Sequence, residues 1–186
     1  FYESFDLSLW QPPQAELLSL YTTDFTVCVS DFDESAVTAP TPAQLVEQLA
    51  IGKCLAVAKQ HPDAVVIGCD TVVDVDGAVF GKPHDAEDAK RMLRALSGRE
   101  HRVHTGVCIC RGAVRRHCRD NRLSISRLSR RTTCAPMCAA GALTTRREPM
   151  PSKDTRRLWC AGIEGCYYNI MGLPVHRTAQ LLREFT

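Results

Sequence analysis

No apolar run in this 186-residue chain approaches the roughly 20 residues that an α-helical membrane span requires. The first residues, Phe1-Tyr2-Glu3-Ser4-Phe5-Asp6, have neither the basic start nor the apolar core of a secretion signal. The expectation is a cytoplasmic protein with no membrane partner. Net charge is also scarce: the formal balance is only +2, which gives no global attraction to nucleic acid or to an acidic lipid surface. Ten cysteines are present, yet none form a CxxC pair; the nearest spacings are Cys108-x-Cys110 and Cys134-x-x-x-Cys138. His101 and His104 precede Cys108, but alternation along a strand would set the two histidines on opposite faces, which argues against zinc. Without a secretion signal, reduced thiols are expected rather than a disulfide framework. Aromatics are missing where the chain is most basic. From Arg111 to Cys160 there are twelve arginines against three acids, but Trp159 is the sole aromatic. An RNA-contacting face would interleave stacking rings with such arginines, so nucleic acid is not the expected partner.

What is present is enough for a real core: 45% of residues are hydrophobic, and the length suits one domain, taken as residues 1–186. The Leu9-Trp10-Gln11-Pro12-Pro13-Gln14 stretch fits neither strand nor helix, because paired prolines interrupt both. Glu16, Leu17, Leu18 and Leu20 then suggest a short helix, and Phe25–Val29 a strand ending in the acidic loop Ser30-Asp31-Phe32-Asp33-Glu34. That loop suits either plain solvation or metal and base chemistry. Thr41-Pro42-Ala43-Gln44 is a helix start with a hydroxyl cap, Pro at the first position and Gln closing a capping box. Leu45, Val46, Leu49 and Leu55 supply its apolar face until His61-Pro62 stops it.

The β-branched run Val65-Val66-Ile67 predicts a strand buried on both faces. It leads through Gly68 into Asp70-Thr71 and on to Asp76-Gly77, a hairpin signal. A carboxylate inside such a strand is costly to bury without a partner such as a cation. Lys82 follows between Gly81 and Pro83. These residues suit a metal-bound phosphate ligand, and equally a structural turn aspartate with a solvated lysine; Lys53, on the preceding helix, could likewise be merely solvated. Asp85 caps the next helix, with Ala89, Met92, Leu93 and Leu96 facing the core and Gly98 stopping it. Val103, Thr105 and Val107 then alternate as a strand. The fold class is therefore α/β. From Cys110 to Cys160 no period of 2 or 3.6 survives, and a disordered basic insertion is the plain expectation. Order returns near Ala161, and Pro174 opens a last helix with Val175, Ala179, Leu181, Leu182 and Phe185.

Taken together, Ser30-Asp31-Phe32-Asp33-Glu34, Leu49-Ala50-x-x-Lys53, Gly68-Cys69-Asp70-Thr71-Val72-Val73, Gly81-Lys82-Pro83, Leu96-Ser97-Gly98-x-x-His101-x-Val103-x-Thr105-Gly106 and Asn169-x-x-Gly172-Leu173-Pro174 resemble Maf-like nucleoside triphosphate pyrophosphatases. The match covers roughly residues 15–109 and 161–186. The resemblance implies an inosine-triphosphatase-like α/β fold: a long mixed β-sheet in two lobes, flanking helices and a central cleft. It implies hydrolysis of a (d)NTP to the (d)NMP and pyrophosphate with a divalent cation, Mg2+ or Mn2+, and a homodimer. Carried over to this chain, Asp70 would be the catalytic acid/base residue activating water, and Glu34 would assist; both would be metal ligands. Lys53 and Lys82 would hold phosphate oxygens, and Thr71 would sit at the specificity site.

Two family segments are missing. The family opens with Ala-Ser-x-Ser-Pro-Arg-Arg, whose serine and arginines grip the triphosphate, and carries Tyr-Gly-Ile-Gln-Gly before its final strand. Leu9-Trp10-Gln11-Pro12-Pro13 can be written CTC TGG CAG CCC CCG; with GC before it and the phase shifted, the same bases give Ala-Ser-Gly-Ser-Pro and the start of an Arg codon. Arg156-Arg157-Leu158-Trp159 out of phase likewise contains Gly-Ala-Tyr-Gly. The expectation is that residues up to about 14 and about 110–160 are frame-shifted text, and that this literal chain is impaired. The alternative is a catalytically weak or inactive nucleotide-binding relative.

Overall fold

The paired prolines that break up the start of the chain in fact begin its first helix. In the computed structural model, which describes residues 5–8, 12–81, 83–128 and 160–185, α1 runs Pro12–Leu18. This corrects the expectation that residues 9–14 fit neither element: a helix's first turn makes no use of its N–H groups, so Pro costs nothing there. Just before it, β1 (Phe5–Ser8) pairs in parallel with both β2 (Phe25–Val27) and β3 (Val65–Val75).

The remaining elements are α2 (Pro42–Ala58), β4 (Ala78–Phe80), α3 (Ala86–Leu96), β5 (Glu100–Arg111), β6 (Val114–Leu128), β7 (Cys160–Glu164), α4 (Tyr167–Ile170) and α5 (Val175–Leu182). Among the described strands the order is β2-β1-β3-β5-β6-β7, with β4 antiparallel to β3. The sheet is thus mixed and the class α/β, as expected. Among the described residues no helix is long and apolar enough to cross a membrane.

β6 is a correction, whereas β7 stands where order was expected to return, near Ala161. The stretch after Cys110 carries no apolar alternation, yet β6 is a 15-residue strand and pairs antiparallel with β7. Backbone ladders are available to any sequence, and pairing partners override weak local preference. Gly112, with φ of 53°, makes the tight turn that returns the chain from β5. Residues 129–159, including the site of the expected Tyr-Gly-Ile-Gln-Gly segment, lie outside the described residues, as do Lys82 and residues 9–11.

Two compact units can be distinguished. One takes in Phe1–Val72, His104–Leu123 and Cys166–Thr186, and the other Val73–Val103 and Ser124–Gly165. In the first, strand alternation sorts the core into two layers. On one face, Ala50, Cys54 and Val57 of α2 pack on Val66, Cys108 and Cys110. On the other, Leu17 and Leu18 of α1, with Leu173, Leu182 and Phe185, pack on Val65, Ile67, Cys69, Val107 and Ile109. Val65, Val66 and Ile67 are buried on both faces as the sequence predicts, each side chain contributing about 1.5–3 kcal/mol.

α2 lies unusually close to the sheet. A β-carbon on Gly68 would overlap the Ala50 carbonyl and Cys54, and one on Gly106 would overlap the Val46 carbonyl. Its start is the expected hydroxyl cap, with Gln44 N–H donating to Thr41 Oγ1 at 3.3 Å, but Gln44 Oε1 accepts from the Thr41 hydroxyl at 3.0 Å rather than from the Thr41 N–H that a full capping box uses. At the last helix, Pro174 is the cap rather than the first helical residue; its carbonyl accepts from Thr178 Oγ1 at 3.1 Å.

The second unit holds the predicted hairpin and helix. Asp76 (φ 52°) and Gly77 (φ 86°) form the turn, with Gly77 N–H donating to Asp74 at 2.8 Å. Asp85 caps α3 by accepting from Asp88 N–H at 2.8 Å, and Ala89, Met92 and Leu93 are its buried residues. Leu96 is only partly buried.

Candidate functional site

Asp70 follows Gly68 by two residues on β3, so it projects to the face on which α2 lies. One turn of α2 places Lys53 directly above it, because the glycine lets helix and strand approach. Lys53 Nζ donates to Asp70 Oδ1 at 2.5 Å and lies 3.1 Å from Glu34 Oε1. The cation anticipated for a carboxylate in this strand is therefore the chain's own lysine. Lys53 and Asp70 side chains are 15% and 14% exposed, whereas Glu34 is 53% exposed. The lysine–aspartate bond thus operates at lower dielectric and is the stronger half. Burial works against the Lys53 charge, but Asp70 first and Glu34 second outweigh it, so the ammonium is held above the usual lysine range.

Glu34 reaches this point through a loop in which Asp33 and Glu34 have separate jobs. Asp33 caps the short 3-10 turn Glu34–Ala36, accepting from Ser35 N–H at 2.9 Å and Ser35 Oγ at 2.6 Å. Those bonds, the hydroxyl's first, hold its carboxyl below the usual carboxylate value. Phe32 anchors the loop: its ring occupies the space over Gly52 where any other residue would carry a β-carbon. Glu34 is left to face Lys53. The Phe32–Gly52 contact was not foreseen. Its only signal in sequence was a glycine in an apolar helix, next to the lysine.

Thr71 is not part of this group. It points to the opposite face of β3, where its hydroxyl is 3.0 Å from Thr105 Oγ1 and 3.5 Å from the Gly172 carbonyl. Thr105, fully buried, donates to the Asn169 carbonyl at 3.1 Å. Gln14 Nε2 (3.2 Å) and Cys69 Sγ (3.0 Å) also donate to the Gly172 carbonyl. Gly172 adopts φ of 102°, which directs that carbonyl inward. The structure therefore joins Glu34, Lys53 and Asp70, and puts Thr71 in a second polar cluster with Gln14, Thr105, Asn169 and Gly172. Lys82 lies outside the described residues.

Among the described residues no group of three or more His, Cys, Asp or Glu side chains converges on a metal position. The site offers two carboxylates converging on one cationic position. Such a pair suits a hard divalent ion that completes its shell from phosphate oxygens and water.

A family model described as Maf-like protein matches residues 12–185. Curated relatives named dTTP/UTP pyrophosphatase include that of Symbiobacterium thermophilum, 41% identical over 181 residues, covering 94% of this chain and 90% of the relative. Those of Pelotomaculum thermopropionicum (36% identical, covering 94% and 92%) and Bacillus cytotoxicus (32% identical, covering 98% and 96%) are also similar. A solved HAM1 protein from Coxiella burnetii shares the fold over 98% of this chain and all of that one, with a TM-score of 0.57 at 15% identity.

Proposed function

Because this chain belongs to the Maf-like family, we propose that it is a nucleoside triphosphate pyrophosphatase, a hydrolase releasing pyrophosphate and a nucleoside monophosphate. The relatives' names point to dTTP and UTP as the substrates to test first. The observation that carries the reading is the Lys53 ammonium held between Asp70 and Glu34. It brings a positive group and two carboxylates to one point at a helix–strand contact.

In this reading Asp70 orients the attacking water toward the α-phosphorus and takes its proton. Glu34 assists from the anchored loop. Lys53 turns from the carboxylates to phosphate oxygens, compensating their charge. Lys82 is assigned the same task, and Thr71, on the other face of β3, is assigned to base recognition. Asp70 and Glu34 would hold a divalent cation, Mg2+ or Mn2+. When bound, it supplies charge neutralisation at the phosphates. A cytoplasmic homodimer completes the reading.

A second reading is favoured by the chain's own start. Trp10-Gln11-Pro12-Pro13-Gln14 stands where the resemblance calls for the serine and arginines of the triphosphate grip, and Gln14 is engaged with Gly172. Loss of those arginines would leave an impaired enzyme or a nucleotide-binding relative. The frame-shift reading of residues up to about 14 and about 110–160 remains our proposal for why. Pyrophosphate release from UTP and dTTP with Mg2+ should be measured for this chain, for a version with Ser-Gly-Ser-Pro-Arg restored, and for Asp70→Asn in each. The restored version should be the faster, and Asp70→Asn should lower its rate at least about a hundredfold. Unchanged turnover in Asp70→Asn would refute the assigned role.

A further inference from the structure

The residue after Lys53 carries a different chemistry. Cys54 is fully buried, and its Sγ stands 3.1 Å from Sγ of Cys110, also fully buried, on β5. The two come from positions 56 residues apart, brought together by the close approach of α2 to the sheet at Gly68 and Gly106. Cys108, two residues before Cys110, shares their face and is buried with them. The pair is asymmetric. Hydrogen bonding with Cys54 draws the Cys110 thiol below its usual range, against the effect of burial and with the Arg115 guanidinium adding to the lowering; Cys54 Sγ also donates to the Val66 carbonyl at 3.3 Å. Hydrogen bonding with Cys108 and Cys110, together with burial, pushes Cys54 far up. Cys110 is thus the thiol of the pair that ionises more readily, and Cys54 the one that keeps its proton. A groove is lined by Leu55, the residue after Cys54, by Gly112 and Ala113 of the turn that follows β5, and by Val114 and Arg115 at the start of β6.

We propose that Cys54 and Cys110 form an oxidisable dithiol, which a hydroperoxide converts to a disulfide linking α2 to β5. The Cys110 thiolate attacks one peroxide oxygen, the O–O bond breaks, and the departing oxide takes up a proton, leaving Cys110 as a sulfenic acid. Cys54 sulfur then attacks Cys110 Sγ; the S–S bond forms, the S–O bond breaks, and the oxygen leaves as water with the Cys54 proton. Two thiols are oxidised, and with hydrogen peroxide one molecule is reduced to two waters. Closing a 3.1 Å separation to the roughly 2.0 Å of a disulfide pulls α2 inward one residue from Lys53. A second consequence, which rests on the function proposed above, is that oxidation slows turnover by moving Lys53 against Asp70. Thiols serving only as core packing would show neither.

The full chain should be treated with hydrogen peroxide, unfolded in an alkylating reagent and digested with trypsin. The expected product is peptide 54–59 linked to peptide 103–111, with Cys54 and Cys110 both lost to alkylation and Cys108 still alkylated. Fragmentation places the link at Cys110 or Cys108 without any variant; Cys108→Ser should retain it and Cys110→Ser abolish it. Full alkylation of Cys54 after peroxide, or a link to Cys108, overturns the site. Pyrophosphate release should fall several-fold on oxidation and return with dithiothreitol. A linked peptide with unchanged turnover overturns the coupling to Lys53 and leaves the pyrophosphatase reading untouched.

Discussion

The Phe32 ring sits on Gly52 so closely that no β-carbon could be added to the glycine without displacing it. This contact holds the loop bearing Glu34 against the helix bearing Lys53, and so fixes two of the three charged groups relative to each other. Gly52→Ala should expel the ring and, with it, the carboxylate. Most of the cost falls on the site: the ring can swing into solvent, so we expect a stability loss of about 1–2 kcal/mol. Divalent-ion affinity, measured by calorimetry without substrate, should fall with it. Unchanged affinity would show that the loop is held by other contacts.

Lys53 anchors the second prediction. Lys53→Met keeps the aliphatic stem but leaves Asp70 without its charged donor, and should cost about 2 kcal/mol in urea unfolding at neutral pH. The sign of its pH dependence follows from the raised lysine pKa. A group whose folded value is raised stabilises fully below its unfolded value, here 10.5, and that contribution is lost as pH climbs through the folded value. The stability gap between wild type and Lys53→Met should therefore stay level to about pH 10 and shrink only above it. A gap that already closes between pH 7 and 9 would mean that the ion pair is not what the variant removes.

Thr105 offers a third test, at the polar cluster on the other side of β3. Thr105→Val preserves volume but removes the hydroxyl that joins Thr71 to the Asn169 carbonyl. Since Thr105 is fully buried, the orphaned groups should cost about 1–3 kcal/mol. If Thr71 recognises the base, the variant should also change KM for UTP more than kcat; a change in kcat alone would remove Thr71 from that role.

The sequence by itself determined much of the frame, because its local signals concern nearest neighbours. Thr41-Pro42-x-Gln44, Asp76-Gly77 and Asp85 each carry their own hydrogen-bonding solution, and Val65-Val66-Ile67 can hardly be anything but a buried strand. Asp70 and Thr71 were read together as parts of one phosphate site, whereas strand alternation sends them to opposite faces. Three things were decided only in tertiary structure. Pro12-Pro13 became a helix start because the first turn needs no donors, and β6 became a strand because its neighbours offered a ladder. The partner of Asp70 was decided by Gly68, which admits α2 near enough for a lysine 17 residues away to reach the carboxylate. Spacing in the chain cannot encode that distance. It is set by the absence of one β-carbon on each of two strands, and only packing reveals what fills the space.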